Sequence, residues 1–389
     1  MRRHIKKRSP GNRNGSPSPF PWLLAVLGLL GLGVCLWTYW QSLQVPVPPP
    51  QAKPIAIPPT VLVPPQTNTP PPNEQPQPPV EVVPVPPPLP TVKPKPEPPP
   101  PTGFPRPVQN ALEAQLALAR QGISSGSLDG LVGSQTRSAL RAFQQKERLP
   151  PTGQLDTATK ERLLLTHTPY TTYTVTTDDL ARLQPVSSTW LGKSQQTALD
   201  YETVLELVAE KSHSHPKLIR QLNPSIDWAD VPAGTSLQVP DVAYADSPAK
   251  AAFGTISLSG KVLEVFDAST NLLAHFPCSI ARRVEKRPNG ELHVAAIAPN
   301  PNYTFDPDVF PESAEARQLT TKLILPPGPN NPVGVAWISL DKPGYGIHGT
   351  PSPEQVGRTE SHGCFRLANW NAEYLIKLVW VGMPVYVEP

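Results

Sequence analysis

The sequence predicts a multidomain protein with a mostly β C-terminal part, as a sandwich or barrel, preceded by a small three-helix bundle and an α+β module. Three observations lead to this prediction. Of the 56 Pro residues, 28 lie between Pro46 and Pro107, so a long stretch belongs to no packed core. Apolar residues recur at helical spacing from Val108 and alternate with period two from Phe253. An apolar run near the N-terminus predicts a transmembrane helix.

The positive charge of the chain is concentrated at one end. Residues 1–19 form a basic tail with six Arg and Lys residues and no acid, which leaves 28 of the 34 basic residues against 31 acidic residues in the rest. The overall net charge of +3 therefore comes from this tail, which indicates the topology of the chain in a membrane. It gives no support to nucleic-acid binding.

Residues 20–40 read FPWLLAVLGLLGLGVCLWTYW, an uncharged apolar run long enough to span a bilayer. Its aromatic end suits a membrane interface, and a cleaved signal peptide is the alternative. The positive-inside rule then predicts a single pass through the cell inner membrane, with a cytoplasmic N-terminus and the remaining chain in the periplasm. Residues 41–107 are predicted to be a disordered polyproline II linker, with a ligand for SH3 or WW domains as the alternative.

A three-helix bundle is predicted over residues 108–166. Gly122 ends the first helix, Ser134 begins the second, and Asp156 caps a third that runs to Leu164. The string LDGLVGSQTRSALRAFQQKERLPPTGQLDTATKERL closely resembles the peptidoglycan-binding domain of many cell-wall hydrolases and transpeptidases. The resemblance implies binding to the wall, and a spacer bundle without a binding role is the alternative.

Residues 170–243 predict a strand, two helices and a returning strand that ends in LNPSIDWADVPAGTSLQVP. This order resembles a LysM module, which binds glycans that contain N-acetylglucosamine. A polar insertion from Thr176 to about Asp200 replaces the short link of that family, so the glycan groove could be altered or lost. His213 and His215 are predicted to lie in a solvated loop, which is favoured over metal binding because no third ligand is near.

Residues 250–389 predict the mostly β domain. Strands are indicated by two alternating runs that form a hairpin from Phe253, by residues 272–280, and by the segments LHVAAIA, TKLILP, VAWISL and MPVYVEP. One helix is predicted over residues 370–379. Cys278 is expected to be buried and inert within a strand.

The chemically reactive residue types are concentrated in GYGIHGTPSPEQVGRTESHGCFRLANWN. Cys364 follows Gly363, which lets a ligand approach the backbone, and His362 and His348 precede it. An imidazole can take the proton of a thiol or stabilise its thiolate, so a nucleophilic Cys364 is one interpretation. A metal site of His348, His362 and Cys364 lacks a fourth ligand. A purely structural Cys does not account for the surrounding His and Gly residues.

The segment HGTPSPEQVGRTESHGCFRLAN is similar to the signature of the L,D-transpeptidases, which have a YkuD-like catalytic domain. The resemblance implies that Cys364 is the nucleophile and His348 the general base, with the carbonyl of Gly349 orienting the imidazole. It also implies an oxyanion hole of the backbone N–H groups of His362, Gly363 and Cys364. Neither a metal nor another cofactor is expected.

Other residues of the motif are predicted to contact substrate or to shape the site. Arg366 suits a substrate carboxylate or an internal ion pair, and Tyr345 is either an added donor or a packing residue. Ser361 is assigned to substrate binding, with local hydrogen bonds that fix the loop as its expected contribution. Asn369 is predicted to cap the following helix in preference to orienting the histidine.

The reaction implied by the resemblance is acyl transfer within peptidoglycan. Cys364 would attack the carbonyl between meso-diaminopimelate and the terminal D-Ala of a tetrapeptide stem, and D-Ala would leave. An amine of a neighbouring stem would resolve the thioester and give a 3,3 cross-link. The alternatives are an L,D-carboxypeptidase, an enzyme that attaches proteins to peptidoglycan, and an inactive wall-binding protein. The expected partners are peptidoglycan stem peptides and glycan strands.

Overall fold

The computed structural model describes residues 103–244, 249–310, 313–361 and 363–389. The basic tail, the predicted span at residues 20–40 and nearly all of the Pro-rich linker lie outside these ranges and stay predictions. Within the described ranges, no helix combines the length and the apolar composition that crossing a bilayer requires.

The bundle at the start of the described chain has three helices and one short antiparallel strand pair. Its elements are β1 Arg106–Pro107, α1 Ala111–Ala119, α2 Ser134–Lys146, α3 Thr157–Arg162 and β2 Leu164–Leu165. The carboxylate of Asp156 accepts a hydrogen bond from the Thr159 N–H at 2.9 Å and caps α3. The helix ends before the predicted Leu164 because Leu164 pairs with Pro107 in the β1–β2 ladder.

The α+β module follows, and its two strands pair antiparallel. Its elements are β3 Tyr170–Thr174, α4 Thr177–Arg182, α5 Trp190–Ser194, α6 Val204–Lys211, α7 Pro216–Leu222 and β4 Ser236–Pro240. The predicted strand, helix, helix and strand are present, and the insertion between the first strand and the first predicted helix forms α4 and α5. The likeness of this segment to a LysM module stays a prediction.

The C-terminal domain is built on one eight-stranded sheet in the order β13-β12-β11-β8-β14-β5-β6-β7. Its elements, including a separate β9–β10 pair, are β5 Phe253–Ser257, β6 Val262–Phe266, β7 Leu272–Pro277, β8 Gly290–Pro299, β9 Tyr303–Phe305, β10 Leu323–Leu325, β11 Ala336–Leu340, β12 Gly346–His348, β13 Phe365–Arg366, α8 Asn369–Leu378 and β14 Pro384–Glu388. Ser279, just beyond β7, exchanges backbone hydrogen bonds of 2.9 and 3.0 Å with Arg366 of β13. The sheet therefore curls until its two edges meet, in agreement with the mostly β class predicted from the alternation.

Helix α8 packs its apolar face on this sheet. Leu375 and Leu378 are fully buried against a core that includes Phe276 and Ile338. Burial of each such side chain stabilises the fold by about 1.5–3 kcal/mol. Cys278 lies one residue beyond β7, is fully buried, and has its pKa raised by that burial.

The bundle and the module both pack on the C-terminal domain. The His275 N–H of β7 donates to the Gly122 carbonyl at 3.0 Å. Gly122 has a φ of +78°, and a Cβ added to it would lie 2.7 Å from the backbone oxygen of Leu273, so this contact requires glycine. His213, predicted to be solvated, instead stacks on Trp370 of α8 at 5.2 Å between ring centroids, and burial lowers its pKa to about 3. That prediction was wrong because the loop faces a neighbouring domain.

Candidate active site

The residues of the reactive motif come together on two short neighbouring strands. β12 and β13 pair in parallel, with His348 opposite Arg366. Cys364 immediately precedes β13, so the sheet places the thiol beside the strand that carries the imidazole. Both strands are too short to show an alternating pattern, which is why the sequence did not predict them.

Cys364 and His348 line one cavity of about 700 Å³. The cavity is also lined by Tyr345, Ser361, Gly363 and Arg366, so most of the predicted site residues share it. The thiol is partly exposed, and its Sγ lies 3.5 Å from the Gly344 carbonyl oxygen. A peptide carbonyl that enters this cavity can therefore reach the sulfur.

The His348 imidazole is held on two sides. Its Nδ1 lies 2.6 Å from the carbonyl oxygen of Gly349, and its ring stacks on Trp337 at 5.6 Å between centroids. A carbonyl oxygen can only accept, so Nδ1 carries the proton and the lone pair is on Nε2. Burial lowers the pKa of His348 to about 4, which keeps the ring neutral at physiological pH.

The Cys364 thiol is also neutral in the resting site. Burial raises its pKa, and this effect outweighs the opposing influence of the Gly346 backbone hydrogen bond and the Arg366 charge. A neutral thiol that shares a cavity with a neutral imidazole can react when the base removes the proton as the sulfur attacks. The raised pKa of the thiol and the lowered pKa of the imidazole thus favour proton abstraction over a preformed ion pair, two possibilities that the sequence left open.

The loop before Cys364 is fixed by Ser361. The hydroxyl donates to the Cys364 carbonyl at 2.5 Å and accepts from the Gly363 N–H at 3.3 Å. These bonds favour the loop-fixing contribution of Ser361 over direct contact with substrate. His362 lies outside the described residues, so its N–H in the oxyanion hole stays a prediction.

Arg366 has no internal carboxylate partner within the described ranges, where none of the salt bridges includes it. Burial lowers its pKa, and its side chain lines the cavity. This favours the substrate-carboxylate interpretation over the internal ion pair. Tyr345 lines the same cavity and packs against the domain core, so both of its predicted contributions stay open.

Asn369 does not cap α8, which begins at Asn369 itself after Ala368. Its Oδ1 accepts from the Thr350 N–H at 2.9 Å, and its Nδ2 donates to Glu210 of α6 at 2.9 Å. The capping prediction was wrong because the side chain is turned toward the loop that follows His348. Asn369 therefore fixes that loop to the α+β module.

Sequence reasoning missed four aromatic residues that line the cavity, Trp190, Tyr303, Phe310 and Trp337. Trp337 had a signal, since the alternation in VAWISL puts it on the face opposite the buried Ala336 and Ile338. Trp190 had none, because it comes from the insertion of another module. Among the described residues, no group of three His, Cys, Asp or Glu side chains is placed to hold a metal.

Residues 252–387 match the family model of the L,D-transpeptidase catalytic domain, YkuD. This segment is therefore similar to that catalytic domain over nearly the whole of the mostly β region. Residues 108–163 match the family described as "Putative peptidoglycan binding domain". Both matches confirm the resemblances seen in the sequence for these two segments.

The two curated relatives described next each match about half of this chain. The YkuD protein of Bacillus licheniformis, named "Putative L,D-transpeptidase YkuD", is 27% identical over 186 residues, which cover 48% of this chain and 93% of the relative. The "Probable L,D-transpeptidase ErfK/SrfK" of Escherichia coli is 27% identical over 53% of this chain and 66% of its own length. A crystal structure of L,D-transpeptidase 3 from Mycobacterium tuberculosis matches 41% of this chain and 77% of its own, with 18% identity and a TM-score of 0.28.

Proposed function

We propose that this protein is a peptidoglycan L,D-transpeptidase that forms 3,3 cross-links through a thioester on Cys364. The observation that carries the proposal is the shared cavity, in which Cys364 and a neutral His348 with its Nδ1 proton directed at Gly349 open to the same space. The catalytic-domain family is consistent with this chemistry.

The reaction begins when Nε2 of His348 takes the thiol proton as Sγ attacks the carbonyl between diaminopimelate and the terminal D-Ala. A carbon–sulfur bond forms, and the oxyanion is stabilised by the backbone N–H groups of Gly363 and Cys364 together with that of His362. The carbon–nitrogen bond then breaks, and His348 returns the proton to the amine of D-Ala. The side-chain amine of a second stem then attacks the thioester and loses a proton to His348. The new carbon–nitrogen bond forms, the carbon–sulfur bond breaks, and the departing sulfur takes the proton back from His348.

The other parts of the chain would keep this domain at its polymer. The bundle matches a peptidoglycan-binding family, and the α+β module would bind glycan if its LysM-like groove is retained. A membrane helix at residues 20–40, a cytoplasmic N-terminus and a periplasmic catalytic domain complete the proposal. Tethering of this kind raises the local concentration of enzyme at the wall without requiring high affinity from any module.

Product analysis of the purified full-length chain with tetrapeptide muropeptides tests the reaction. We expect release of D-Ala and dimers joined between two diaminopimelate residues, with neither product from Cys364→Ser. Tripeptides without dimers would indicate an L,D-carboxypeptidase, and transfer to an added protein lysine would indicate attachment of proteins to the wall. A folded chain with no product and no mass adduct from a carbapenem would leave only a wall-binding role.

A further inference from the structure

The insertion of the α+β module is fixed to the L,D-transpeptidase domain. Trp190 of α5 stacks on Phe305 of β9 with 4.3 Å between ring centroids and 14° between planes. The carboxylate of Glu315 accepts hydrogen bonds of 2.9 Å from the N–H groups of Trp190 and Leu191. Leu199, farther along the insertion, is fully buried and donates its N–H to the Pro327 carbonyl at 2.9 Å. The insertion is therefore a packed wall of the neighbouring domain.

Trp190 belongs to the lining of two cavities. It lines the cavity of Cys364 and also a second one of about 290 Å³, and Pro332 and Arg366 line both. The second cavity, called here the side cavity, has both polar and apolar lining surface, and none of its lining residues in the described part of the chain is Asp or Glu. Its charged lining residues are Lys193 and Arg366, and the other polar ones carry hydroxyl or side-chain amide groups.

The two cations of the side cavity form no ion pair with the residues that the structure describes. In the part of the chain that the structure describes, no salt bridge involves Lys193 or Arg366. Lys193 is half-buried, and its Nζ lies 5.3 Å from the centroid of the Trp190 ring. Two partly desolvated cations with no carboxylate partner among the described residues favour an anion from outside the chain.

We propose that Lys193 and Arg366 bind a carboxylate of the peptidoglycan stem in the side cavity, with Trp190 as the wall between that carboxylate and the reacting carbonyl. This inference rests on the proposed function. It makes the insertion of the α+β module a part of the substrate site, although the insertion lies outside the catalytic-domain family match. A stem that ends in diaminopimelate and D-Ala carries a carboxylate on each of these residues, and either one has the required chemistry.

Calorimetric binding to the full-length Cys364→Ser chain tests the inference without turnover. The probes are the tetrapeptide stem with free carboxylates, the same peptide with a carboxamide on D-Ala, and the same peptide with a carboxamide on diaminopimelate. We expect Lys193→Ala to weaken binding of the free acid about tenfold, as expected for loss of one charged hydrogen bond. One of the two carboxamide peptides should bind weakly to the Cys364→Ser chain, and Lys193→Ala should not weaken its binding further. The carboxylate that this peptide lacks is then the one that Lys193 binds.

Lys217→Ala is the matched control, since Lys217 is an exposed lysine on α7 of the same module. It should leave all three affinities unchanged, and Lys193→Arg should retain most of the binding. Unchanged affinity in Lys193→Ala, an equal loss for all three peptides, or no measurable binding of the free acid would overturn the inference. If the wild-type chain releases D-Ala while Lys193→Ala binds normally, only this inference fails. If Lys193 selects the free acid but no D-Ala is released, only the proposed function fails.

Discussion

The Glu210 carboxyl group accepts a hydrogen bond of 2.9 Å from the side chain of Asn369, which in turn accepts one from the Thr350 N–H. Glu210 belongs to the α+β module, and Thr350 lies two residues after His348. The contact therefore links the module to the loop that follows the proposed base. It also places a carboxyl group in a buried position, where burial raises its pKa to about 8.

Glu210→Gln should remove a pH dependence of stability. Because the pKa of Glu210 in the folded chain is above its ordinary value of about 4.3, the folded state binds the extra proton between these two pH values. Stability is therefore greatest below about pH 4 and falls as the pH rises to about 8. The variant should lack this fall in stability. At pH 8.5 its melting temperature should exceed that of the wild-type chain by roughly 2–4 °C for each kcal/mol of unfolding free energy regained. Thermal melts from pH 5 to 9 measure it, with the exposed Glu161→Gln as control, and equal slopes in all three chains would contradict it.

The acid limb of the pH–rate profile, where kcat/KM falls as the pH is lowered, should have its midpoint near pH 4. Burial lowers the pKa of His348 to about 4, and only the neutral imidazole can accept the thiol proton. We expect kcat/KM for D-Ala release to fall tenfold per pH unit below about pH 4 and to stay level between pH 5 and 7. Initial rates at low substrate concentration measure it. A midpoint near 6.5 would indicate a solvated imidazole and contradict the buried geometry.

The Cys364 thiol should react slowly with iodoacetamide at neutral pH. Burial raises its pKa, so the thiolate fraction is below that of a free cysteine at the same pH. The rate of alkylation at Cys364, followed by peptide mass spectrometry, should rise with pH through a midpoint above 8.5. Arg366→Ala should slow it further, because the Arg366 charge favours the thiolate, and Arg366→Lys should retain the wild-type rate. Rapid alkylation at pH 6 would show a preformed thiolate.

Trp337 should act as a positioning residue for the base. Its ring stacks on His348 at 5.6 Å, from the position directly opposite in the β11–β12 pair. Trp337→Leu should lower kcat about tenfold and move the acid limb toward higher pH, because the imidazole becomes more exposed to water. Trp337→Phe keeps an aromatic face and should restore most of both properties. If kcat falls but the acid limb of the pH–rate profile stays at the same pH, the contribution of Trp337 is purely structural.

Cys364→Ser should abolish acylation while the fold is retained. A carbapenem should add its mass to the wild-type chain and to Cys278→Ala, since Cys278 is fully buried, but not to Cys364→Ser. Intact-protein mass spectrometry measures the adduct, and circular dichroism checks the fold. Adduct formation at full extent on Cys364→Ser would disprove the nucleophile assignment.

The sequence by itself determined the local features of this protein. Helical spacing and capping residues predicted the bundle, strict alternation predicted the long strands, and the run from His348 to Arg366 carried the family resemblance. These features depend on residues close together in the chain. Short strands such as β12 and β13 carry too few residues for a pattern, so their pairing could not be predicted.

Only the tertiary structure decided how the modules combine at the site. Trp190 reaches the cavity from an insertion in the α+β module, and Asn369 turns from the expected cap to Glu210 in that module. Burial, which long-range packing creates, also fixed the neutral states of His348 and Cys364. Contacts between residues far apart in the chain depend on the relative placement of whole domains, and no local pattern encodes that placement.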